Sequence, residues 1–316
     1  MDPDFEQPLR EIEERIAELR KLNEKQDVNF DGEITELRKK MRGLTKRLYA
    51  KLTPWQTVQV ARHEKRPLLQ DYIAAVFSEF IELHGDRCHG DDRALIGGFA
   101  TLNTHRLMLL GMEKGKSVED KVVRNFGMSN PEGYRKALRL MRLAEKYGLP
   151  VVCLVDTPAA YPGMEAEERG QAEAIARNLT EMAGMEVPIV VLVTGEGGSG
   201  GALGIAVGDV VLMLSNAIYS VIPPEGCAAI LWRDASKAPQ AAEALKLTAD
   251  SLLAMGIVDE VIAEPPGGAH RDYAATMAAV KESLSKHLTR LKRTSPRKLV
   301  EKRYDKYARI GRIGKR

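Results

Sequence analysis

The amino-acid sequence predicts an α/β fold with a largely parallel core sheet. Two continuous apolar segments, "PVVCLVDTP" (150–158) and "VPIVVLVTG" (187–195), each run into a Gly- or Pro-rich turn and then a helical pattern. Buried apolar strands that alternate with helices are typical of parallel sheets covered on both faces. The chain has 316 residues, of which 44% are hydrophobic, so it can bury a substantial core.

The first 52 residues predict a helical hairpin. Apolar residues recur at three- and four-residue spacing in two stretches, which is the period of an amphipathic helix. The stretches are Leu9, Ile12, Ile16, Leu19 and Ile34, Leu37, Met41, Leu44, Leu48. We expect the main domain to span 53–290 and a basic C-terminal tail to span 291–316.

Within the main domain, each element follows from its local pattern. Segment 68–86 predicts a helix, and 95–113 predicts two strands around the turn at Asn103. A helix is predicted to begin at Pro131 and to be closed by Gly148, and another to run from about 165 to 183. Further strands are predicted at 209–214 and 218–222, and a further helix at 238–256.

Composition limits the classes of function. The formal net charge is only +3, which argues against a general nucleic-acid coat, although 292–316 is markedly basic. That end is expected to be a solvated, partly helical tail or a contact for anionic groups or a partner subunit. Three scattered cysteines, no apolar leader and no apolar run near ~20 residues indicate a soluble cytoplasmic protein without a membrane segment.

The sequence predicts no metal site. The cysteines are too far apart for a zinc ribbon. Asp27, Asn29 and Asp31 match the start of a calcium-binding EF-hand loop, but Arg38 stands at the twelfth position, where a bidentate Glu is needed.

The segment "VTGEGGSGGALG" (193–204) matches two motifs. Gly195, Gly197 and Gly200 fit a dinucleotide-binding turn, but the following helix is too short and no carboxylate follows until Glu225. Ser199 fits a hydrolase nucleophile elbow.

The hydrolase interpretation stays open as an alternative. Asp209, Asp259 and His270 follow Ser199 in the chain order of an α/β serine hydrolase, although His270 lies in a loop with no clear place on the sheet. A non-catalytic interaction subunit is a third class that the sequence permits.

Another use of the glycines fits the segment better. Glycines at the start of a helix expose backbone N–H groups where the helix dipole is positive. Gly200 and Gly201 stand just before "ALGIAVG" and are the best placed to form an oxyanion hole. Close packing of a helix on a strand would also require small residues, and the two interpretations are compatible.

A second glycine segment, "GMEKGKS" (111–117), is not a P-loop, because only three residues separate Gly111 from Gly115. Lys114, Lys116 and Arg124 remain as a basic cluster, either a solvated face or a phosphate contact.

Four blocks together resemble one family. They are "DTPAAYPG" (156–163), "AEERGQAEAIARNL" (166–179), "GEGGSGGAL" (195–203) and "YSVIPPEGCAAILW" (219–232). The chain resembles the carboxyltransferase alpha subunits of multisubunit bacterial acetyl-CoA carboxylases. The resemblance implies a crotonase-like (ClpP/crotonase) spiral fold. It also implies transfer of a carboxyl group from carboxybiotin, held on the biotin carboxyl carrier protein, to acetyl-CoA, which gives malonyl-CoA for fatty-acid synthesis.

The same resemblance implies partners and site residues. The partners are biotin carboxylase and a zinc-ribbon beta subunit, in an α2β2 heterotetramer whose active site lies between alpha and beta. The N–H groups of Gly200 and Gly201 are expected to face the ureido oxygen of biotin. The expected substrate-binding residues are Gly197, Gly198, Tyr161, Gly163 and Lys114.

The sequence departs from the family pattern at two places. Ala159 stands where a glycine is usual, which puts the shape of that turn in question because Ala tolerates positive φ poorly. Met112 and Glu113 stand where a His-Gln pair is usual, so a polar role there does not carry over.

Overall fold

The computed structural model describes residues 4–25 and 29–312. Its strands are β1 (Ser78–Glu82), β2 (Leu95–Leu102), β3 (His105–Met112), β4 (Val151–Thr157), β5 (Ile189–Gly198), β6 (Val210–Leu214), β7 (Ile218–Ser220) and β8 (Glu260–Ile262). In the described residues these strands form one sheet in the order β1-β2-β3-β4-β5-β6-β8, with β7 paired to β5. The pairs β1–β2 and β2–β3 are antiparallel, and all other pairs are parallel.

The helices surround this sheet. They are α1 (Gln7–Lys25), α2 (Asp31–Tyr49), α3 (Pro54–Ala61), α4 (Leu69–Val76), α5 (Val118–Val123), α6 (Pro131–Lys146), α7 (Met164–Glu168), α8 (Gln171–Gly184), α9 (Ser199–Leu203), α10 (Pro224–Trp232), α11 (Ala238–Leu245), α12 (Ala249–Ala254), α13 (Tyr273–Leu291) and α14 (Pro296–Arg309).

The predicted parallel core is confirmed. Strands β4 and β5 pair from Val151 opposite Ile189 to Val155 opposite Val193, and every residue of both strands is buried. Continuous apolar runs without polar alternation occur here because both faces of the sheet are covered. The carboxyl ends of β4 and β5 therefore meet at one edge of the sheet.

The predicted strand pair at 95–113 is also confirmed. Strands β2 and β3 pair in register from Leu95 opposite Met112 to Leu102 opposite His105. Asn103 turns the chain with φ 53°, a conformation that Asn adopts more readily than most residues.

Three helix predictions need correction. The helix expected over 68–86 ends at Val76, and β1 follows as an edge strand whose partner β2 lies elsewhere in the sequence. The helices expected over 165–183 and 238–256 are each split in two. The breaks lie at Gly170 (φ 83°) and Lys246 (φ 52°), where left-handed backbone ends a helix.

Helix α6 begins and ends as predicted. Pro131 occupies its first turn, where a missing N–H costs nothing, and Gly148 follows its end with φ 65°. Leu140 is fully buried against Gly97 of β2, and Tyr134 is fully buried with its hydroxyl donating to the carbonyl oxygen of Gly201.

The predicted helical hairpin is present as α1 and α2. Ile12, Ile16 and Leu19 pack against Ile34 between the two helices. Of the EF-hand-like residues between the helices, Asp27 lies outside the described residues.

Ion pairs attach the helical hairpin to the main domain, since Glu6 and Glu13 both pair with Arg271.

No helix within 4–25 and 29–312 is both long enough and apolar enough to cross a membrane.

The segment predicted to be a basic tail contains a packed helix. Leu299 and Arg303 of α14 are buried. The Arg303 guanidinium donates hydrogen bonds to the carbonyl oxygens of Met182, Met185 and Val187 and pairs with Asp209 at 2.9 Å. A basic composition therefore did not indicate a wholly solvated segment here.

We predict that Arg303→Met lowers the free energy of unfolding by about 3–5 kcal/mol, because it leaves the buried Asp209 carboxylate without its cation. Chemical denaturation measures this change. Arg297→Met is the matched control, since Arg297 is 90% exposed on the same helix and its pair with Glu301 is worth at most ~1 kcal/mol. Equal losses in both variants would contradict the prediction.

Candidate functional site

The glycine segment joins β5 to α9 and packs against the turn that follows β4. A Cβ atom on Gly198 would overlap the carbonyl oxygen of Pro158, and one on Gly201 would overlap the backbone of Ala159. Two backbones touch here with no space for a side chain between them. Close packing therefore explains Gly198 and Gly201.

Gly200 is in a different environment. The nearest atom to a Cβ built on it would be Cδ1 of Ile175 at 3.8 Å, which is ordinary contact. Gly200 lines an open cavity of about 570 Å³. The walls are mostly apolar and include Leu203, Leu252 and Met255. Gly201 is buried and does not line this cavity.

The start of α9 carries no capping side chain. Its N-cap residue is Gly198, and no side-chain hydrogen bond caps this helix. The first N–H groups of any α-helix have no partner inside the helix. Gly200 and Gly201 lie in that first turn, so their N–H groups suit the predicted oxyanion hole, with Gly200 at the cavity wall.

Gly197 also has a packing reason to be glycine. A Cβ atom on it would lie 2.7 Å from Cδ2 of Tyr219, whose ring forms part of the cavity wall. Gly197, Gly198, Gly200 and Gly201 thus do not share one function.

A buried charge network lies behind the glycine segment. The Lys114 ammonium group is 2.7 Å from Asp156 and 3.7 Å from Glu196, and Arg62 pairs with Glu196 at 2.8 Å. Arg62 also pairs with Glu225. Lys114, predicted to contact substrate, therefore has its charge compensated inside the protein.

The protonation states in this network follow from burial and pairing. Burial alone would raise the pKa of Glu196, but Lys114 and Arg62 lower it overall. Burial alone would lower the pKa of Lys114, but Asp156 and Glu196 raise it overall. Glu196 and Lys114 are therefore both ionised at neutral pH.

Tyr161 and Gly163 lie in the loop after β4. The side-chain amide of Gln171 donates to the carbonyl oxygens of both Tyr161 and Ser129 at 2.9 Å, which fixes this loop. A Cβ atom on Gly163 would overlap the Tyr161 ring, so the ring packs directly on the glycine. A hydrogen bond to Glu165 raises the pKa of the Tyr161 hydroxyl.

The two family departures are accommodated locally. Ala159 is not among the residues with positive φ, so its turn forms without a glycine. The Thr157 hydroxyl donates to the Ala159 carbonyl oxygen at 2.7 Å and so fastens the turn. Met112 is buried in the core, and the Glu113 carboxylate accepts hydrogen bonds from the N–H groups of Gln70 and Gly115.

The serine hydrolase alternative is not supported. Ser199 has φ 47°, a strained conformation also suited to a nucleophile elbow. However, Asp209 pairs with Arg303, and Asp259 pairs with Lys306. No hydrogen bond in the described ranges connects Ser199 with Asp209, Asp259 or His270. The carboxylates therefore serve the docking of α14, and no triad forms.

His270 instead lies beside the hairpin. Its ring stacks on that of His63 with centroids 3.8 Å apart and planes 14° apart, and Glu6 is 3.8 Å from its Nε2. Burial and the neighbouring His63 lower the pKa of His270 to about 2, so it is neutral.

Glu6, His63 and His270 bring three possible metal-ligand atoms within 4.8 Å of one another. Two features oppose metal binding there. His63 Nδ1 accepts a hydrogen bond from the Lys65 N–H, so this nitrogen is not available to an ion. Because the rings are stacked almost parallel, one ion also cannot lie in both ring planes.

Sequence reasoning missed three residues of the site. Asp156 and Glu196 are carboxylates at the ends of adjacent buried strands, and that position was the available signal. Arg62 lies at the C-terminal end of α3, more than a hundred residues before its partner Glu196, and no local sequence pattern pointed to it.

Solved structures with a similar backbone define the class of fold. Transcarboxylase 12S, with methylmalonyl-coenzyme A and methylmalonic acid bound, matches with a TM-score of 0.56 at 22% identity, over 72% of this chain and 43% of that one. A Pseudomonas malonate decarboxylase hetero-tetramer in complex with coenzyme A matches with a TM-score of 0.56 at 17% identity, over 70% of this chain and 89% of that one. The crotonase-like carboxyltransferase fold predicted from the sequence is confirmed.

Sequence comparison identifies the family. The family described as acetyl co-enzyme A carboxylase carboxyltransferase-like matches residues 3–311. The acetyl-coenzyme A carboxylase carboxyl transferase subunit alpha of Geobacter metallireducens is 54% identical over 98% of this chain and 97% of that protein. The subunit of that name from Cupriavidus necator is 52% identical over 98% of this chain and 96% of that protein. The chain belongs to the acetyl-CoA carboxylase carboxyltransferase family.

We predict that Lys114→Met lowers the free energy of unfolding by about 3 kcal/mol, because Glu196 and Asp156 lose a buried cation. The native pKa of Glu196 is lowered from 4.5, so its contribution to stability is present above pH 4.5 and is lost as the pH falls through the native pKa. Chemical denaturation at several pH values should show a smaller acid-induced loss in the variant.

Lys116→Met is the matched control, two residues further along the chain. Lys116 is 64% exposed, and its pair with Asp71 is worth at most ~1 kcal/mol. If Lys114→Met is no more destabilising than this control, the buried ion pairs of Lys114 do not stabilise the strand ends that carry Asp156 and Glu196.

Proposed function

We propose that this chain is the alpha subunit of the carboxyltransferase component of acetyl-CoA carboxylase. In this role it transfers the carboxyl group from carboxybiotin, on the biotin carrier protein, to acetyl-CoA and so forms malonyl-CoA. Family membership over residues 3–311 supports the proposal. The observation that carries it is the uncapped start of α9 at the wall of a 570 Å³ apolar cavity.

The cavity suits a fused ring system in which one ring is an apolar thioether and the other carries a urea carbonyl oxygen, as in biotin. When bound, carboxybiotin supplies an activated carboxyl group whose departure leaves negative charge on the ureido oxygen. The N–H group of Gly200 would donate to that oxygen, since Gly200 lines the cavity and Gly201 does not. If a partner covered apolar walls such as Leu203 and Met255, water would be excluded and these electrostatic interactions would be stronger.

The remaining predicted site residues have separate proposed roles. Tyr161 and Gly163 contact substrate from the loop after β4, which packs beside α9. Gly197 and Gly198 permit the close approach of the strand ends. Lys114 positions the segment through Asp156 and Glu196 and does not itself carry charge to the substrate.

We propose that a beta subunit carrying a zinc ribbon completes the active site in an α2β2 assembly. Exposed apolar side chains offer docking surface, since large apolar patches on soluble proteins mark interaction sites. Val118 and Val122 of α5 are 71% and 59% exposed, and Ile230 and Leu231 of α10 are 73% and 62% exposed. Biotin carboxylase is the further proposed partner, and the cytoplasm is the proposed location.

We predict that Gly200→Val lowers carboxyl transfer by about 10²–10³-fold, since a side chain there enters the cavity and obstructs the N–H donors. The assay is malonyl-CoA formation by the complex with the beta subunit. Gly201 is unsuitable for this test, because any side chain there would disrupt packing against Ala159.

Gly43→Val is the matched control for this substitution. Gly43 lies in the middle of α2, and a Cβ atom on it would meet nothing within 4 Å. The control should remain active. Full activity in Gly200→Val would rule out the proposed role of the α9 start.

We further predict that the chain alone is inactive. The reaction develops charge on two oxygens, and α9 provides donors for one of them, while two prolines in 158–162 lack N–H groups. The test is malonyl-CoA decarboxylation in the presence of a biotin derivative, with and without a beta subunit. Turnover without it should be at least about 10²-fold lower; comparable turnover by the folded chain alone would defeat the prediction.

A further inference from the structure

A second cavity, of about 360 Å³, lies between α6, α8 and the loop after β1. It shares no lining residue with the cavity beside Gly200. Its walls carry five arginines, namely Arg87, Arg135, Arg139, Arg142 and Arg177. We call it the arginine cavity.

One of the two lining carboxylates is already fully used. Asp86 accepts hydrogen bonds from the N–H groups of Cys88, His89 and Gly90 and pairs with Arg135 at 2.7 Å. These bonds outweigh its burial and lower the pKa of Asp86 to about 2, so it is ionised at neutral pH. Its role is to shape the loop and to hold Arg135.

The outer arginines share the remaining carboxylates. Arg142 and Arg177 both contact Glu181, and Arg177 also lies 3.8 Å from Glu173, the second lining carboxylate. These contacts are at the solvent-exposed rim, where pairing is weak.

Arg87 and Arg139 have no carboxylate of their own in the described part of the chain. Arg139 donates to the carbonyl oxygens of Gly85 and His84 at 3.0 and 3.1 Å, which leaves other N–H groups of its guanidinium unused. The two acids whose charges act on Arg139 are paired elsewhere, Asp91 with Lys136 and Asp86 with Arg135. Arg87 itself makes no hydrogen bond or ion pair within 4–25 and 29–312. The cavity therefore contains two neighbouring cations that lack a counter-ion.

Repulsion between these two cations contributes to the pKa of Arg139. Burial and the charge of Arg87 lower the pKa of Arg139. An anion between the two guanidinium groups would relieve that repulsion.

We propose that the arginine cavity binds a small organic molecule that carries a diphosphate group. Guanidinium groups match the oxygens of phosphate with paired hydrogen bonds, and two unpaired arginines match a group with two linked phosphates. At 360 Å³ the cavity exceeds the size of the diphosphate alone. Leu138 and Ala174 provide an apolar floor for the rest of the molecule. This site does not overlap the cavity beside Gly200, and pyrophosphate binding tests it whether or not the proposed carboxyl transfer takes place.

Isothermal titration calorimetry on the full chain tests the proposal, with inorganic pyrophosphate, ADP and coenzyme A as separate probes. Saturable binding of pyrophosphate that weakens with added salt is expected. Arg87→Gln and Arg139→Gln should each weaken it at least about tenfold, because each removes a charged hydrogen-bond donor. Tighter binding of ADP or of coenzyme A would show which organic group the apolar floor accepts.

Two controls separate this site from other effects. Arg297→Gln removes an exposed arginine from α14 and should leave affinity unchanged. Gly200→Val should also leave pyrophosphate binding unchanged, since Gly200 belongs to the other cavity. Arg87→Gln is the decisive variant, because the Arg87 side chain makes no internal bond whose loss could unfold the loop.

Three results would overturn the proposal. One is the absence of saturable binding of all three probes at about 1 mM. Another is pyrophosphate binding that survives both Arg87→Gln and Arg139→Gln unchanged. The third is binding of an acidic peptide in place of the diphosphate probes.

Discussion

The site depends on one backbone contact, where the turn after β4 meets the end of β5. Pro158 and Ala159 lie so close to Gly198 and Gly201 that no side chain fits between them. The Glu196 N–H also donates to Asp156 at 2.8 Å, within the irregular stretch between the pair Val155–Val193 and the pair Thr157–Gly197. This contact determines where α9 begins and leaves Gly200 open to the cavity.

Much of this arrangement could be predicted from local sequence. Continuous apolar runs at β4 and β5 required a sheet covered on both faces, and parallel strands bring their carboxyl ends together. The glycines around Ser199 indicated either close backbone packing or exposed N–H groups. In the structure, Gly198 and Gly201 serve close packing. Because four co-linear blocks resembled one family, the fold was predictable beyond what periodicity alone indicates.

Other features could not be predicted, because they depend on residues far apart in the chain. Asp209 precedes Arg303 by 94 residues, and the two carboxylates offered for a triad instead bind α14. Likewise β1 forms because β2 offers hydrogen-bonding backbone groups along its edge. The local sequence pattern, which indicated a helix, carries no information about this distant partner. Lys114 looked like a phosphate contact because a sequence gives a charge but not the carboxylates that surround it.

The same contact explains why a second surface is needed for the proposed reaction. A helix start that donates to a developing charge is most effective where water is excluded. Here the backbone contact covers Gly201 but leaves Gly200 in a cavity that is open to solvent. Its apolar walls at Leu203 and Met255 are partly exposed, and covering apolar surface of this kind is favourable. Binding of a beta subunit over this opening would therefore be favoured by burial of apolar surface. This is the same surface from which the proposed reaction requires water to be excluded.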